Sequence, residues 1–243
     1  MSLTSQVSRL ARPVWRVVTH PVGTVRAVAT GDPHVVLTYD DGPDPVATPA
    51  VLEMLAKHGA SATFFVLMTR ARKHPSLVRE VMAAGHEIAL HGVDHTRLTT
   101  LPLAEVRRRC RDGRAELEDL TGQRVRWFRA PYGALLPAHW SVVRSTGLMP
   151  VGWGPTPGDW RDLPEPELAA DPVESSRPGD IVLAHDGFAV AEDNAFDGPP
   201  PPIDRGKLAD LMLSGLSSRG IAARSLGHCL HTGRARRWAW FVR

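Results

Sequence analysis

"VVLTYDDGPDP", residues 35 to 45, is the stretch from which the rest of the chain is read. A run of β-branched and apolar residues ends in two adjacent carboxylates, Asp40 and Asp41. A Gly-Pro turn follows at once. The run predicts a buried strand over 35–41. Two like charges where a buried strand ends are costly unless something offsets one of them. An Asx-type turn into a helix would need only one Asp.

Outward from this strand, apolar β-rich runs alternate with helical patterns. Strands are expected at 35–41, 62–67, 87–90, 125–130, 149–153, 180–185 and 221–226. Helices are expected between them at 46–59, 76–85, 103–122, 138–147, 164–179 and 206–220. In the first helix Val51, Leu52 and Leu55 keep helical spacing and Gly59 is the stop. Gly113 weakens the third, and Pro172 interrupts the fifth. Strands alternating with helices of this length imply right-handed βαβ units and a parallel sheet. Such an α/β chain can close into a barrel or lie open as a doubly wound sheet, and periodicity does not choose between them. "TYDDGPDP" is not the G-x-G-x-x-G fingerprint, which argues against a dinucleotide fold.

Composition narrows the class. The chain has 243 residues, with 43% hydrophobic and 23% charged, as expected of a globular protein with a real core. No apolar run approaches the roughly 18 residues of a membrane span. The early stretch "VWRVV" contains Arg16 and makes a poor secretory leader. A cytoplasmic or peripheral membrane location is therefore expected. Cys110 and Cys229 do not make a disulfide framework and read as reduced thiols. Residues 1–31 hold Arg9, Arg12, Arg16 and Arg26 and no acid; residues 231–243 hold Arg234, Arg236, Arg237 and Arg243 and no acid. Without those eight arginines, 21 basic residues face 26 acidic ones, so the sequence pI of 9.2 describes the ends. Nothing here requires a nucleic-acid partner. The tail "RARRWAWFVR" could touch an anionic membrane surface or pack on the body.

The polar residues fall on this frame in a pattern. Asp40 and Asp41 end the first strand, His91 and His95 follow the third, and Arg129 ends the fourth. Asp159 and Trp160 follow the fifth, and His185 and Asp186 end the sixth. All gather at the edge where parallel α/β folds keep their sites. Two imidazoles four residues apart and one carboxylate make a divalent-metal set that leaves positions open. Asp41 is the expected carboxylate, with Glu87 and Asp94 as alternatives. If Asp41 binds a cation, its charge is offset, and Asp40 beside it can act as a base. His185 opposite would be an acid. These are the parts of metal-assisted hydrolysis.

Five motifs in order across residues 38 to 185 resemble the polysaccharide deacetylases, the NodB-homology group also called carbohydrate esterase family 4. "TYDDGP" is similar to that family's T-F-D-D-G-P and implies Asp40 as base and Asp41 as metal ligand. "HGVDH" is similar to H-[ST]-x-x-H and implies His91 and His95 as the other ligands. "RAPYG" implies that Arg129 orients the base and that the backbone at Tyr132 helps hold the oxyanion. "GDW" implies that Asp159 partners Arg129 and that Trp160 walls the pocket. "LAH" implies that Leu183 lines the acetate pocket and His185 is the acid. The resemblance implies a distorted (β/α)7 barrel, a zinc or cobalt cofactor, and a carbohydrate substrate bearing an N-acetylated amino sugar. A deformylase or another linear-amide hydrolase on a lipid-linked or small-molecule amino sugar is the alternative, and a non-catalytic sugar binder a third reading. The expected division is a basic N-terminal extension over 1–31, a deacetylase-like body over 32–230 and a basic, aromatic tail over 231–243.

Two departures stand out. Gly92 replaces a Ser or Thr whose hydroxyl helps fix the histidine loop, which implies modestly weaker metal affinity. Thr156 stands where many relatives carry an additional acid. The long loop 186–205 holds Asp186, Glu192, Asp193, Asp197 and Asp204, an acidic face that could receive a cationic sugar, or a solvated Pro-rich excursion.

Overall fold

A computed structural model describes residues 23–242. The basic residues Arg9, Arg12, Arg16 and Arg243 lie outside the described residues. Seven parallel strands form the sheet: β2 (His34–Asp40), β3 (Thr63–Leu67), β4 (Glu87–Gly92), β5 (Trp127–Phe128), β6 (Met149–Pro150), β7 (Ile181–His185) and β8 (Ala222–Arg224). Their order is β6-β5-β4-β3-β2-β7, with β8 on the lower half of β2 beside β7. Helices cover the outside: α1 (Ala47–Lys57), α2 (Met68–Lys73), α3 (Pro75–Ala83), α4 (Leu103–Thr121), α5 (Pro137–Ser145), α6 (Glu165–Ser175) and α7 (Arg205–Ser218).

The gap between the edge strands is closed by β1 (Thr24–Ala29). Gly152 N–H donates to Val25 O on one side, and Val28 N–H donates to Gly179 O on the other, each at 2.8 Å. Above β1 the edges meet directly, Gly154 N–H on Ile181 O and Leu183 N–H on Pro155 O. The result is the distorted (β/α)7 barrel. β1 pairs antiparallel with β9 (Arg234–Trp238) on its outer side. The barrel thus draws on residues on both sides of 32–230.

All seven expected strands form, but 125–130 and 149–153 contract to two-residue ladders. The chain there stays within hydrogen-bond reach, with Arg129 N–H on Leu90 O and Val151 N–H on Phe128 O, but regular pairing ends. Two short helices were not anticipated: α2, which follows β3 without a break, and α8 (Leu226–Thr232). Leu226 and Cys229 of α8 pack with Val25, Val36, Phe65, Ala89 and Ile181 in the core that lines the barrel.

The period of two along β2 sets the site. Val35, Leu37 and Tyr39 join the core shared with the helices, whereas Val36 joins the barrel core. Thr38 and Asp40 share the inward side with Val36. Asp40 therefore points to the barrel axis at its C-terminal mouth. Cys110 and Cys229 are buried thiols, and burial pushes them up to about 12 and about 11 respectively. No described helix is long and apolar enough to cross a membrane.

Candidate active site

Asp40, Asp41, His91, His95, Tyr132, Asp159, Trp160, Leu183 and His185 all line one cavity of about 420 Å³ at the C-terminal mouth. Arg129 lies beneath them, 1% exposed. The residues to which the five motifs assign base, acid, metal-ligand and substrate roles are thus in or directly under one pocket.

The chain leaves β2 at Asp41 with φ 70°, a left-handed conformation that turns its side chain away from that of Asp40. Asp41 Oδ1 then sits 3.3 Å from His91 Nε2 and 3.4 Å from His95 Nε2. One donor atom from each residue lies within 4.8 Å of the others. His91 Nδ1 is 2.9 Å from Arg129 O, so the ring donates there and turns the Nε2 lone pair to the cluster. Burial pushes His95 down to about 4 against the pull of Asp41, so its ring is neutral. Burial also pushes Asp41 up, but His91, His95 and His185 outweigh it and hold the carboxyl below its ordinary value. Asp41 Oδ1 is a buried oxygen without a hydrogen bond. Two imidazoles and one carboxylate converging on a point with no satisfied proton between them fit a divalent cation. The alternative carboxylates are engaged elsewhere. Glu87 accepts from Trp127 Nε1 and Thr63 Oγ1, and Asp94 from Arg109 and the Thr96 amide.

Asp40 has a different partner. Arg129 Nη1 donates to Asp40 Oδ1 at 2.6 Å and to Thr38 Oγ1 at 2.9 Å. The guanidinium is spread over Phe65, 4.2 Å from the ring centre, and its other nitrogens donate to Val151 O and Gly152 O. A fully buried Arg is tolerable because each face and edge of its fork is used. It offsets the Asp40 charge and fixes one of its two oxygens.

Asp159 does not partner Arg129. Its Oδ1 lies 2.7 Å from His185 Nδ1, and its Oδ2 accepts from the His185 amide and, at 2.7 Å, from Arg205 Nη1. The geometric reason is topological: Arg129 enters from β5 beneath the mouth, whereas Asp159 sits beside the end of β7. Burial pushes His185 down, but the Asp159 carboxylate outweighs it and raises the imidazole to about 9. Burial likewise pushes Asp159 up, and His185 and Arg205 bring it below its ordinary value. Trp160, half-exposed, stands edge-on to His185 at 5.8 Å.

Arg205 escaped the sequence reading. One signal existed: it opens α7, where a cation opposes the helix dipole and needs a separate reason. The acids of the 186–205 loop are also mostly spoken for. Asp186 is buried, bonded to Thr48 Oγ1 at 2.6 Å, and burial pushes it up to about 7. Asp193 is buried against Arg70 and Thr69, and Asp204 caps α7 at the Lys207 amide. Asp197 alone of these lines the cavity, accepting from Tyr132 Oη at 2.6 Å. Tyr132 has φ 59°, its ring lies 4.3 Å from His95, and Arg97 covers it.

The profile of the family described as polysaccharide deacetylase matches residues 27–151. The chain belongs to the polysaccharide deacetylase family. A chitooligosaccharide deacetylase of Azorhizobium caulinodans is 37% identical over 177 residues, 72% of this chain and 84% of the relative. A peptidoglycan-N-acetylglucosamine deacetylase of Bacillus cereus is 32% identical over 170 residues, 69% of this chain and 79% of the relative. A family 4 acetyl xylan esterase of Clostridium thermocellum, solved with a cobalt ion, superposes with TM-score 0.71 at 29% identity, covering 81% of this chain and 90% of the other. Polysaccharide deacetylases are metal-dependent hydrolases of carbohydrate acyl groups, and the Asp41-His91-His95 cluster is a group that could hold a divalent cation.

Proposed function

We propose that the chain hydrolyses the N-acetyl group of an amino sugar within an oligosaccharide or polysaccharide, with Asp40 as base and His185 as acid. The observation that carries this is that two differently wired groups stand side by side at one cavity, Asp40 and His185 being register partners at the ends of β2 and β7. Asp40 is held by a buried cation, and His185 is held protonated by a buried carboxylate.

Asp41, His91 and His95 would hold the metal, zinc in preference to cobalt, and when bound it supplies Lewis acidity toward a carbonyl oxygen and acidifies water. Asp40 takes a proton from the attacking water. With Oδ1 committed to Arg129, Oδ2 is the oxygen left for that proton. The amide N–H at Tyr132 is the donor to the developing oxyanion. His185 carries its proton on Nε2, because Nδ1 faces Asp159. It delivers that proton to the departing sugar nitrogen. Leu183 faces the acetyl methyl, and Trp160 walls the sugar side. The products are a free amino sugar and acetate.

The relatives support an N-acetylglucosamine polymer as substrate; one of them is named for an O-acetyl ester. Acetate release is therefore measured on chitooligosaccharides, peptidoglycan and acetyl xylan, with and without chelation. Chelator-sensitive release from the amide substrates is expected. Release from acetyl xylan alone would replace the deacetylase reading by an esterase one.

A further inference from the structure

Beyond β9 the chain turns back onto the barrel. Leu135 N–H donates to Val242 O at 2.8 Å, and Val242 N–H to Leu135 O at 3.2 Å. Between these anchors and β9, Trp240 fills a slot in the barrel wall. The Arg26 guanidinium covers its ring at 4.4 Å, and Trp153 meets it edge-on at 4.8 Å and 86°. The slot exists because two residues lack side chains. A Cβ on Gly152 would stand 2.8 Å from the Trp240 ring. A Cβ on Gly133 would stand 3.0 Å from Trp240 and 2.7 Å from Trp153.

What Trp240 supports faces the pocket. Trp153 and Gly133 line the cavity with Ala130 and Leu183. The bonds from Gly154 to Ile181 and from Leu183 to Pro155 put Trp153 beside the strand that carries Leu183. Trp153 also lies 5.7 Å from the Arg129 guanidinium that holds Asp40. This is an apolar wall next to the base, where an acyl chain would lie. Gly133 follows Tyr132 directly. Removing Trp240 would leave a void behind Trp153 and let its ring move back, because an unfilled void forfeits packing contacts.

We infer that Trp240 is a positioning residue for the acyl end of the pocket, and that through Trp153 and Gly133 it holds the wall that limits the acyl group to two carbons. The identity of that group rests on the deacetylase reading; the support of the wall by the C-terminal segment does not. The residue lies 55 positions past His185 and outside residues 27–151.

The test uses full-length, zinc-loaded protein with Trp240→Ala and Trp240→Phe. Turnover is compared on N-acetyl, N-propionyl and N-butyryl chitotetraose. Binding of the same three glycans is measured by calorimetry in an Asp40→Asn background, which needs no turnover. The wild type should prefer acetyl over butyryl by about tenfold or more, the scale of extra methylenes in a closed pocket. Trp240→Ala should erase most of that preference and lower kcat on the acetyl substrate about tenfold with little change in KM; Trp240→Phe should keep both near wild type. A preference ratio does not depend on how much protein is folded, so simple destabilisation cannot mimic the result. An unchanged ratio in both turnover and binding overturns the inference. A changed binding ratio without acyl release by the wild type overturns the deacetylase reading and leaves the wall support standing.

Discussion

Asp159 Oδ1 lies 2.7 Å from His185 Nδ1, and the same carboxylate takes Arg205 on its other oxygen. The imidazole is therefore raised from 6.5 to about 9, its burial opposing and the carboxylate prevailing. A group raised in the folded state stabilises the fold fully below its unfolded value. That contribution is lost as pH climbs through the folded value. Wild-type stability should accordingly fall between about pH 6.5 and 9. Asp159→Asn removes the anion, brings His185 down and should flatten that fall. The alkaline limb of kcat/KM should move to lower pH in the same variant. An unmoved limb would show that His185 is not the acid.

Arg205 tests the far side of that arrangement. Its Nη1 also donates to His185 O, so it ties α7 to the end of β7. Arg205→Ala leaves the buried Asp159 with one cation instead of two. A loss of about 3 kcal/mol is expected, the scale for breaking a buried pair, read as a lower midpoint in denaturant. Arg205→Lys should recover part of it. No change in midpoint would make Arg205 an onlooker.

The second buried pair separates stability from turnover. Asp40→Ala strands Arg129, which is 1% exposed, and should cost about 3–5 kcal/mol. Asp40→Asn keeps an oxygen for Arg129 Nη1 and should fold much better. Both should lose turnover by about 10²- to 10⁴-fold. Comparable activity of Asp40→Asn and wild type would remove Asp40 from the base role.

Zinc is expected to raise the melting temperature of the wild type. At a hundredfold excess over Kd the linkage is about 2.7 kcal/mol, or about 5–10 °C for a chain of this size. Asp41→Asn should show little of that rise and little bound metal. An equal rise in both proteins would place the cation elsewhere.

Much of this site could be read from residues 35–45 and the four later motifs, because each lies at the end of an apolar run or in the loop that follows it. The strand sets the direction of the side chain, and the turn sets its height. What could not be read depends on partners far apart in the chain. Arg205 meets Asp159 across 46 positions, and no local pattern links them. β1 and β9 pair Thr24 with Trp238, and their arginines read only as a basic extension and a basic tail because charge hides the alternation of a ribbon. Asp186 is placed at the strand end by the sequence, but its burial against Thr48, 138 positions away, is not legible there. β5 and β6 run shorter than their apolar stretches because regular pairing ends where the backbone carries Arg129 and the Trp153 wall.

Gly92 reads differently in the fold than in the sequence. As a replacement for Ser or Thr it looks like a lost hydroxyl. Its φ of 147° and the 2.8 Å approach of a Cβ to Asp94 O make it a backbone requirement of the histidine loop as built here. Gly92→Ser should therefore destabilise by about 1–3 kcal/mol rather than repair anything. His91 precedes it and His95 closes the same loop, so zinc affinity should weaken with stability. Gly92→Ala supplies the control, because it adds the Cβ without the hydroxyl. The two variants should fall together in melting temperature. A rise in melting temperature and in zinc affinity for Gly92→Ser, with Gly92→Ala falling, would restore the lost-hydroxyl explanation and show that this loop can adopt the backbone a side chain needs.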